Sequence, residues 1–265
     1  MGDSVFLQIQ NVNKEFTNQK TVSLVLSNIN LDIEEGEFVS ILGPSGCGKS
    51  TLLSIVAGLA KPSCGEVLLN GTPITKPGKE RGMVFQQAAL FPWMTVEENV
   101  MFPLRKEMRK ADAKEIAHRF LKMVQLSNYT KHSPHELSGG MQQRVALARA
   151  LSMNPKVLLM DEPFGALDEQ TRSRLHVELE KIWLETKKTV LFVTHSINES
   201  IKLSDRIIVM GTRPGVVLEE IHVRIPRPRA PYPQDAAKLE KRIMGLLQTE
   251  IDKVEGEELA YASNN

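Results

Sequence analysis

The sequence predicts an α/β fold built on a mostly parallel sheet, with a helical segment inserted into it. Three observations carry this prediction. The apolar runs "KVLLM", "TVLFV" and "RIIVM" alternate with helical stretches, and strands separated by crossover helices run parallel. "EFVSIL" reads as a fully buried strand running directly into a glycine-rich loop and then a helix. From about Val96 to Leu151 the apolar spacing turns helical, with Ile116, Phe120 and Met123/Val124 on one stripe, so this stretch interrupts the strand–helix alternation.

Taken in order, Ile29, Leu31 and Ile33 alternate with polar residues, the pattern of a half-buried strand ending at the Glu35-Gly36 turn. After the strand in "EFVSIL", a helix runs from Lys49 through Ala57, and Gly58 is placed to stop it. "GEVLLNG" closes on an Asn-Gly turn, and "GMVFQ" is another short strand. Beyond the helical middle, a long helix starts near Glu169. "PRPRAPYP" (Pro226 to Pro233) places four prolines in eight residues and predicts an extended linker. After it, Leu239, Ile243, Leu246 and Leu247 fit one amphipathic helix from Gln234 to about Val254. For this tail (234–265), docking to a partner and packing on the chain's own core are both open readings.

A length of 265 residues suits one large domain or two interleaved smaller ones. The hydrophobic content of 42% and charged content of 25% are ordinary for a soluble globular protein. With a net charge of +1, no overall basic field argues for nucleic acid, and no such partner is expected. Of the two cysteines, Cys47 sits inside the glycine-rich loop, which a disulfide would distort, so a reduced, cytosolic setting is expected. No signal-peptide pattern or bilayer-length apolar run is evident, so work at a membrane would need a partner to hold the chain there.

Gly43-Pro44-Ser45-Gly46-Cys47-Gly48-Lys49-Ser50 matches G-x-x-x-x-G-K-[ST] between a buried strand and a helix. Its glycines let backbone N–H groups converge on phosphates, and the helix dipole favours negative charge there. Lys49 would reach the β/γ-phosphates and the Ser50 hydroxyl would ligate Mg²⁺. "VLLMDEP" delivers Asp161 to the carboxyl end of a strand, suited to the Mg²⁺ shell through water. The adjacent Glu162 is then placed to orient or deprotonate an attacking water. His195 ends the strand "TVLFVTH", a position that favours function over a purely structural histidine. Gln86 ends "GMVFQ", but the residues alone do not single it out from Gln87. In "LSGGMQQR" (Leu137 to Arg144), Ser138 is placed to cap a helix that opens with Gly139 and Gly140. Two glycines there weaken the helix by about 1 kcal/mol each. Close approach to a phosphate and a flexible loop are both compatible with them.

With these residues in place, the chain resembles the ATP-binding cassette (ABC) ATPase family. "LSGGMQQR" is similar to the family's signature motif. Around it stand the glycine loop, "VFQ" of the Q-loop, "LLMDEP", "ALD" (Ala166 to Asp168) of the D-loop, and "VTH" of the switch histidine. The resemblance covers Leu7 to about Val217. It implies a P-loop NTPase (RecA-like) core with an N-terminal antiparallel β subdomain and an inserted α-helical subdomain. The domains would be an ABC ATPase of 1–225 carrying the helical insertion at about 90–152, the linker 226–233 and the helical tail 234–265.

The resemblance also implies a head-to-tail dimer, each ATP lying between the glycine loop of one copy and the signature helix of the other. ATP would be held by Gly43 through Thr51, with Phe16 stacking on adenine where many relatives carry tyrosine. Ser138, Gly139, Gly140 and Gln142 would act in trans, and Asp168 would couple the two sites. His195 would clamp the γ-phosphate and water, and Gln86 would sense Mg²⁺ and connect to the membrane partner. Ser50, Gln86 and Asp161 form the expected metal set, and Glu162, His195 and Gln86 the catalytic one.

"GKERGMVFQQAALFPWMTVEENV", "DEPFGALDEQTR" and "DRIIVMGTRPG" are further similar to ATPases of bacterial nitrate, sulfonate and taurine importers. That implies a peripheral subunit on the cytoplasmic face, beneath an integral membrane permease that works with an extracytoplasmic solute-binding protein. Bicarbonate or vitamin-precursor import fits the same residues. A soluble ABC ATPase of translation or DNA repair fits less well, because the chain has one cassette and no heptad run. For Trp93 in "FPW", permease docking and core packing are both open.

Overall fold

The computed structural model describes residues 5–18, 21–229 and 232–263. The chain divides into two compact units, one made from residues 1–77 and 191–265, the other from 78–190.

The first unit opens with β1 (Leu7–Asn18), β2 (Thr21–Ile33) and β3 (Phe38–Leu42), then α1 (Lys49–Ala57), β4 (Cys64–Leu69) and β5 (Thr72–Pro73). Strand order β2-β1-β4-β5 gives an antiparallel sheet. At the end of β2, Ile29, Leu31 and Ile33 are buried while Asn30 and Asp32 are exposed, as the alternation predicts. All five residues of β3 are buried. The β4–β5 turn is Asn70-Gly71, with φ of 49° and 70°, the double positive φ that a two-residue hairpin turn favours. Gly58 ends α1 in the left-handed region at φ 77°, and a Cβ there would fall 2.4 Å from the Lys76 carbonyl oxygen. Both facts require glycine at that stop.

The second unit contains β6 (Arg81–Val84), α2 (Val96–Met101), α3 (Lys110–Met123), α4 (Gly139–Ser152), β7 (Val157–Asp161) and α5 (Glu169–Thr186). Strands β6 and β7 pair in parallel, and α2 to α4 lie between them in sequence. The helical segment is therefore inserted between two paired strands, and its compact unit also takes in β6, β7 and α5. On α3 the buried face is Ala113, Ala117, Phe120 and Leu121. Ile116 and Met123 are only half-buried, because the small alanines let α3 lie close along a face rotated from the large-residue stripe.

The chain then returns through β8 (Thr189–Thr194), α6 (Ile197–Leu203), β9 (Arg206–Met210), β10 (Val217–His222) and α7 (Pro233–Ser263). The first unit's second sheet has the order β10-β9-β3-β8, with β3 and β9 parallel and β10 antiparallel at the edge. Helix α7 buries Ile243 completely among Leu42, Ile207, Val209 and Ile221, with Leu239, Leu246 and Leu247 packed beside it. Burying one such side chain contributes about 1.5–3 kcal/mol. The tail's apolar stripe is thus occupied by the chain's own core.

Over 226–229 the proline-rich segment has no helix or strand and bends at Arg227-Pro228, where the sequence predicts an extended linker. Arg229 is buried and donates to the carbonyls of Ile225, Ile201 and Lys202. Arg227 bonds the Leu203 carbonyl and the Asp205 carboxylate. Together they satisfy carbonyls at the C-terminal end of α6, which have no partners within that helix. Residues 230 and 231 lie outside the described residues, and α7 starts at Pro233, the last residue of the expected linker. Among the described residues, no helix is long and apolar enough to cross a membrane.

Candidate nucleotide site

In the first unit, β3 delivers the chain into Gly43, where a Cβ would lie 2.8 Å from both Cys47 Sγ and the Met210 carbonyl oxygen. Gly46 (φ 80°) and Gly48 (φ 92°) hold left-handed torsions that side chains resist, and Gly48 caps α1 with no side-chain cap bond. The loop is therefore shaped by its glycines to present backbone N–H groups at a helix start. Pro44 is half-buried, while Ser45 and Gly46 are exposed at the tip. Lys49 is buried along its stem, and Nζ donates to the carbonyls of Gly43 (2.8 Å) and Pro44 (2.9 Å). Ser50 is exposed and Thr51 half-buried. The Cys47 thiol is buried, which pushes its pKa up, so it stays protonated and inert.

Phe16 lies 50% exposed on β1, paired with Ser23, and the Lys14 ammonium sits 4.8 Å from its ring centre. His195 follows β8, which stops at Thr194, rather than ending the strand, and it is exposed. Its flanks are fixed: the Thr194 hydroxyl donates to the buried Glu199 carboxylate and accepts from the Ser196 N–H, and Ser196 caps α6.

In the second unit, β6 stops at Val84, so Phe85 and Gln86 emerge beyond the strand rather than ending it. Strand β7 delivers Asp161, and Glu162 follows in the left-handed region at φ 43°. A strained torsion at a carboxylate is the kind of outlier that clusters at functional sites. A Cβ on Gly165 would lie 3.4 Å from Gln86 Nε2 and 3.8 Å from Glu162 Oε2, so these two side chains converge on one small residue.

Ser138 caps α4, accepting from the Met141 N–H at 3.3 Å. Gly139 is exposed. Gly140 is buried, and a Cβ there would approach the Thr171 methyl at 2.5 Å. Packing of α4 on α5 is thus sufficient reason for the second glycine within this chain. Asp168 caps α5, and the Thr171 N–H it accepts (2.9 Å) holds its carboxyl below the usual range. Signature and D-loop helices therefore begin side by side. Gln142 spends its amide on the Pro134 and Leu137 carbonyls, which fixes the loop leading into α4.

Sequence reasoning missed Gln143. Its buried amide nitrogen reaches the carbonyls of Phe85 (3.0 Å), Gln86 (3.0 Å) and Pro163 (2.6 Å), tying the signature helix to the Q-loop and to the residue after Glu162. The signal was present: Gln143 lies at i+3 from Gly140 and i−4 from Leu147, on the buried face of α4. Arg149, on the same helix, donates to the Ala88 and Ala89 carbonyls and stands over the Phe91 ring.

The model of the ABC transporter family matches residues 26–165. The chain belongs to the ABC transporter family. It is an ATP-binding subunit and an ATPase, and its fold is that of the ABC cassettes. An uncharacterized ABC transporter ATP-binding protein of Methanocaldococcus jannaschii is 48% identical, with 94% of each chain covered. The aliphatic sulfonates import ATP-binding protein SsuB of Bacillus cereus is 45% identical over 92% of this chain and 99% of its own. Among solved structures, the dimeric post-hydrolysis state of an ATP-binding cassette bound to ADP and Pi superposes with a TM-score of 0.73 at 39% identity, covering 82% of this chain and 99% of that one. The cbiO1 protein of Clostridium perfringens, part of the ABC transporter complex cbiONQ, gives 0.75 at 27% identity, covering 93% and 98%.

Gly215, in "RPG", packs directly against the glycine loop. A Cβ there would fall 2.1 Å from the Cys47 carbonyl oxygen, inside the glycine loop. Gly215→Ala is expected to destabilise the fold by about 1–3 kcal/mol, the scale of overpacking. ATP affinity should fall with it. Chemical denaturation and nucleotide titration check both.

Proposed function

We propose that this ABC ATPase energises an importer of small oxoanionic solutes of the sulfonate, taurine or nitrate class. The observation that carries the proposal is the near full-length match to the sulfonate import ATPase of Bacillus cereus, 99% of which is covered. Bicarbonate and vitamin-precursor importers remain the competing solute classes. In the proposed assembly two copies meet head to tail and a membrane permease holds them at the cytoplasmic face. A solute-binding protein delivers cargo from outside.

Within each site, Gly43 to Thr51 cradle the phosphates, Lys49 neutralises the β/γ-phosphates, and Phe16 stacks on adenine. Ser50, Gln86 and Asp161 offer hydroxyl, amide and carboxylate oxygens, a hard donor set that suits Mg²⁺. Bound with ATP, Mg²⁺ would neutralise charge on the phosphate oxygens. Glu162 accepts a proton from, or orients, the attacking water, and His195 holds the γ-phosphate. Ser138, Gly139 and Gly140 meet that phosphate from the second copy. Asp168 and Gln142 support this by fixing the starts of α5 and α4. Reconstituting the subunit with its permease tests the solute. ATP turnover should rise with a binding protein loaded with an alkanesulfonate or taurine. Stimulation only by bicarbonate or a vitamin precursor would overturn the solute class.

The permease contact we assign to the surface beside the Q-loop. Trp93 is 75% exposed, its ring 5.6 Å from that of Phe91, which in turn lies 4.5 Å from Phe102. Core packing therefore does not explain Trp93, and an exposed aromatic cluster of this kind marks an interaction site. Trp93→Ala is expected to leave the melting temperature unchanged and to weaken permease co-purification by about 30-fold, the loss of one interface hot spot. Unchanged co-purification would remove the docking role.

A further inference from the structure

We propose that Glu250, on the C-terminal helix, is a positioning residue for the nucleotide cradle, acting through the loop 211–216. Glu250 is buried although α7 is largely exposed around it, and its carboxylate accepts the Thr212 N–H at 2.9 Å. The fit is close, since a Cβ on Gly211 would lie 2.7 Å from the same oxygen. A buried carboxylate needs such partners, and a charge-assisted bond to a backbone N–H is among the strong ones.

The loop it holds is wedged between the two parts of the first unit that would grip ATP. Gly215 donates to the Val25 carbonyl and accepts from the Ser27 N–H, both at 2.9 Å, which fastens the loop to β2. On its other side, Gly215 presses on the Cys47 carbonyl in the glycine loop. Strand β2 itself touches that loop, because a Cβ on Gly48 would meet Leu26 Cδ2 at 2.6 Å. Strand β2 also pairs with β1 at Phe16. A second tie from α7 reaches the same place, since Ile243 is buried in one cluster with Leu42, the residue before Gly43. The tail thus braces the cradle from behind at two points, one apolar and one charged. Only the charged one can be removed without opening the core.

This inference rests on Gly43 to Thr51 being the nucleotide cradle, so its test has one arm that needs no nucleotide. In the full-length subunit without nucleotide, Glu250→Ala should speed amide hydrogen exchange across 211–216 and 43–51 by about tenfold, leaving the amides of β7 and α4 unchanged. In the ATPase assay the same variant should raise KM for ATP by about threefold to tenfold with kcat little altered. Glu250→Gln keeps an acceptor oxygen for the Thr212 N–H and should restore both readouts. Met244→Ala, at an exposed position of α7, should change neither. Exchange over 43–51 that stays at the unsubstituted rate in Glu250→Ala would overturn the proposal. So would equal effects of the alanine and glutamine variants. Faster exchange at 43–51 with unchanged KM would retain the brace and instead count against the cradle assignment.

Discussion

Glu162→Gln is expected to lower ATP turnover by about 10²–10⁴-fold, the usual contribution of a positioned general base. ATP affinity should be unchanged, and the dimer should accumulate closed around its nucleotide. The substitution is isosteric, so the left-handed backbone at φ 43° and the close approach of Gly165 are preserved. What it removes is the capacity to take a proton from water. Single-turnover hydrolysis and size-exclusion chromatography with ATP check the two halves. Turnover near that of the unsubstituted protein would take the base role away from Glu162 and shift attention to His195.

A pair of variants tests whether each site is completed by a second copy. Lys49→Ala removes the cradle's ammonium. Ser138→Asp keeps the helix cap, because aspartate caps as well as serine, but turns a carboxylate towards the place proposed for the γ-phosphate. Each variant alone should lose about 10²-fold in turnover, the scale of removing one preorganised electrostatic contact. Mixed together they should recover activity. If the signature helix acts in trans, every mixed dimer has one site with both an intact Lys49 and an intact Ser138. If it acts in cis, every site carries a lesion and the mixture stays inactive.

Local features were legible in the sequence because short-range physics sets them. The helix Lys49–Ala57 and its stop at Gly58 follow from torsions that glycine alone adopts freely. The start of α4 follows from Ser138 as its cap. The candidate chemistry was legible for the same reason, since strand, turn and helix order the glycine loop within a dozen residues. The stripe on α3 was misjudged at Ile116 because two alanines, not the larger side chains, allow the closest approach. What the linker's arginines bind was not legible, because Arg227 and Arg229 find carbonyls of α6, more than twenty residues back along the chain.

By itself, then, the sequence put forward candidates for touching a phosphate, a metal or a water, since residue type and spacing along one element are enough to suggest them. Only the tertiary structure showed what Gly140 packs against, which glutamine of "LSGGMQQR" bridges to the Q-loop, and what Gly215 and Glu250 touch. Each of those answers depends on an atom from a distant part of the chain: the Thr171 methyl, the Pro163 carbonyl, the Cys47 carbonyl and the Thr212 N–H. Contacts of that kind leave no period in the sequence, because they are fixed by how elements pack and not by how any one of them is wound.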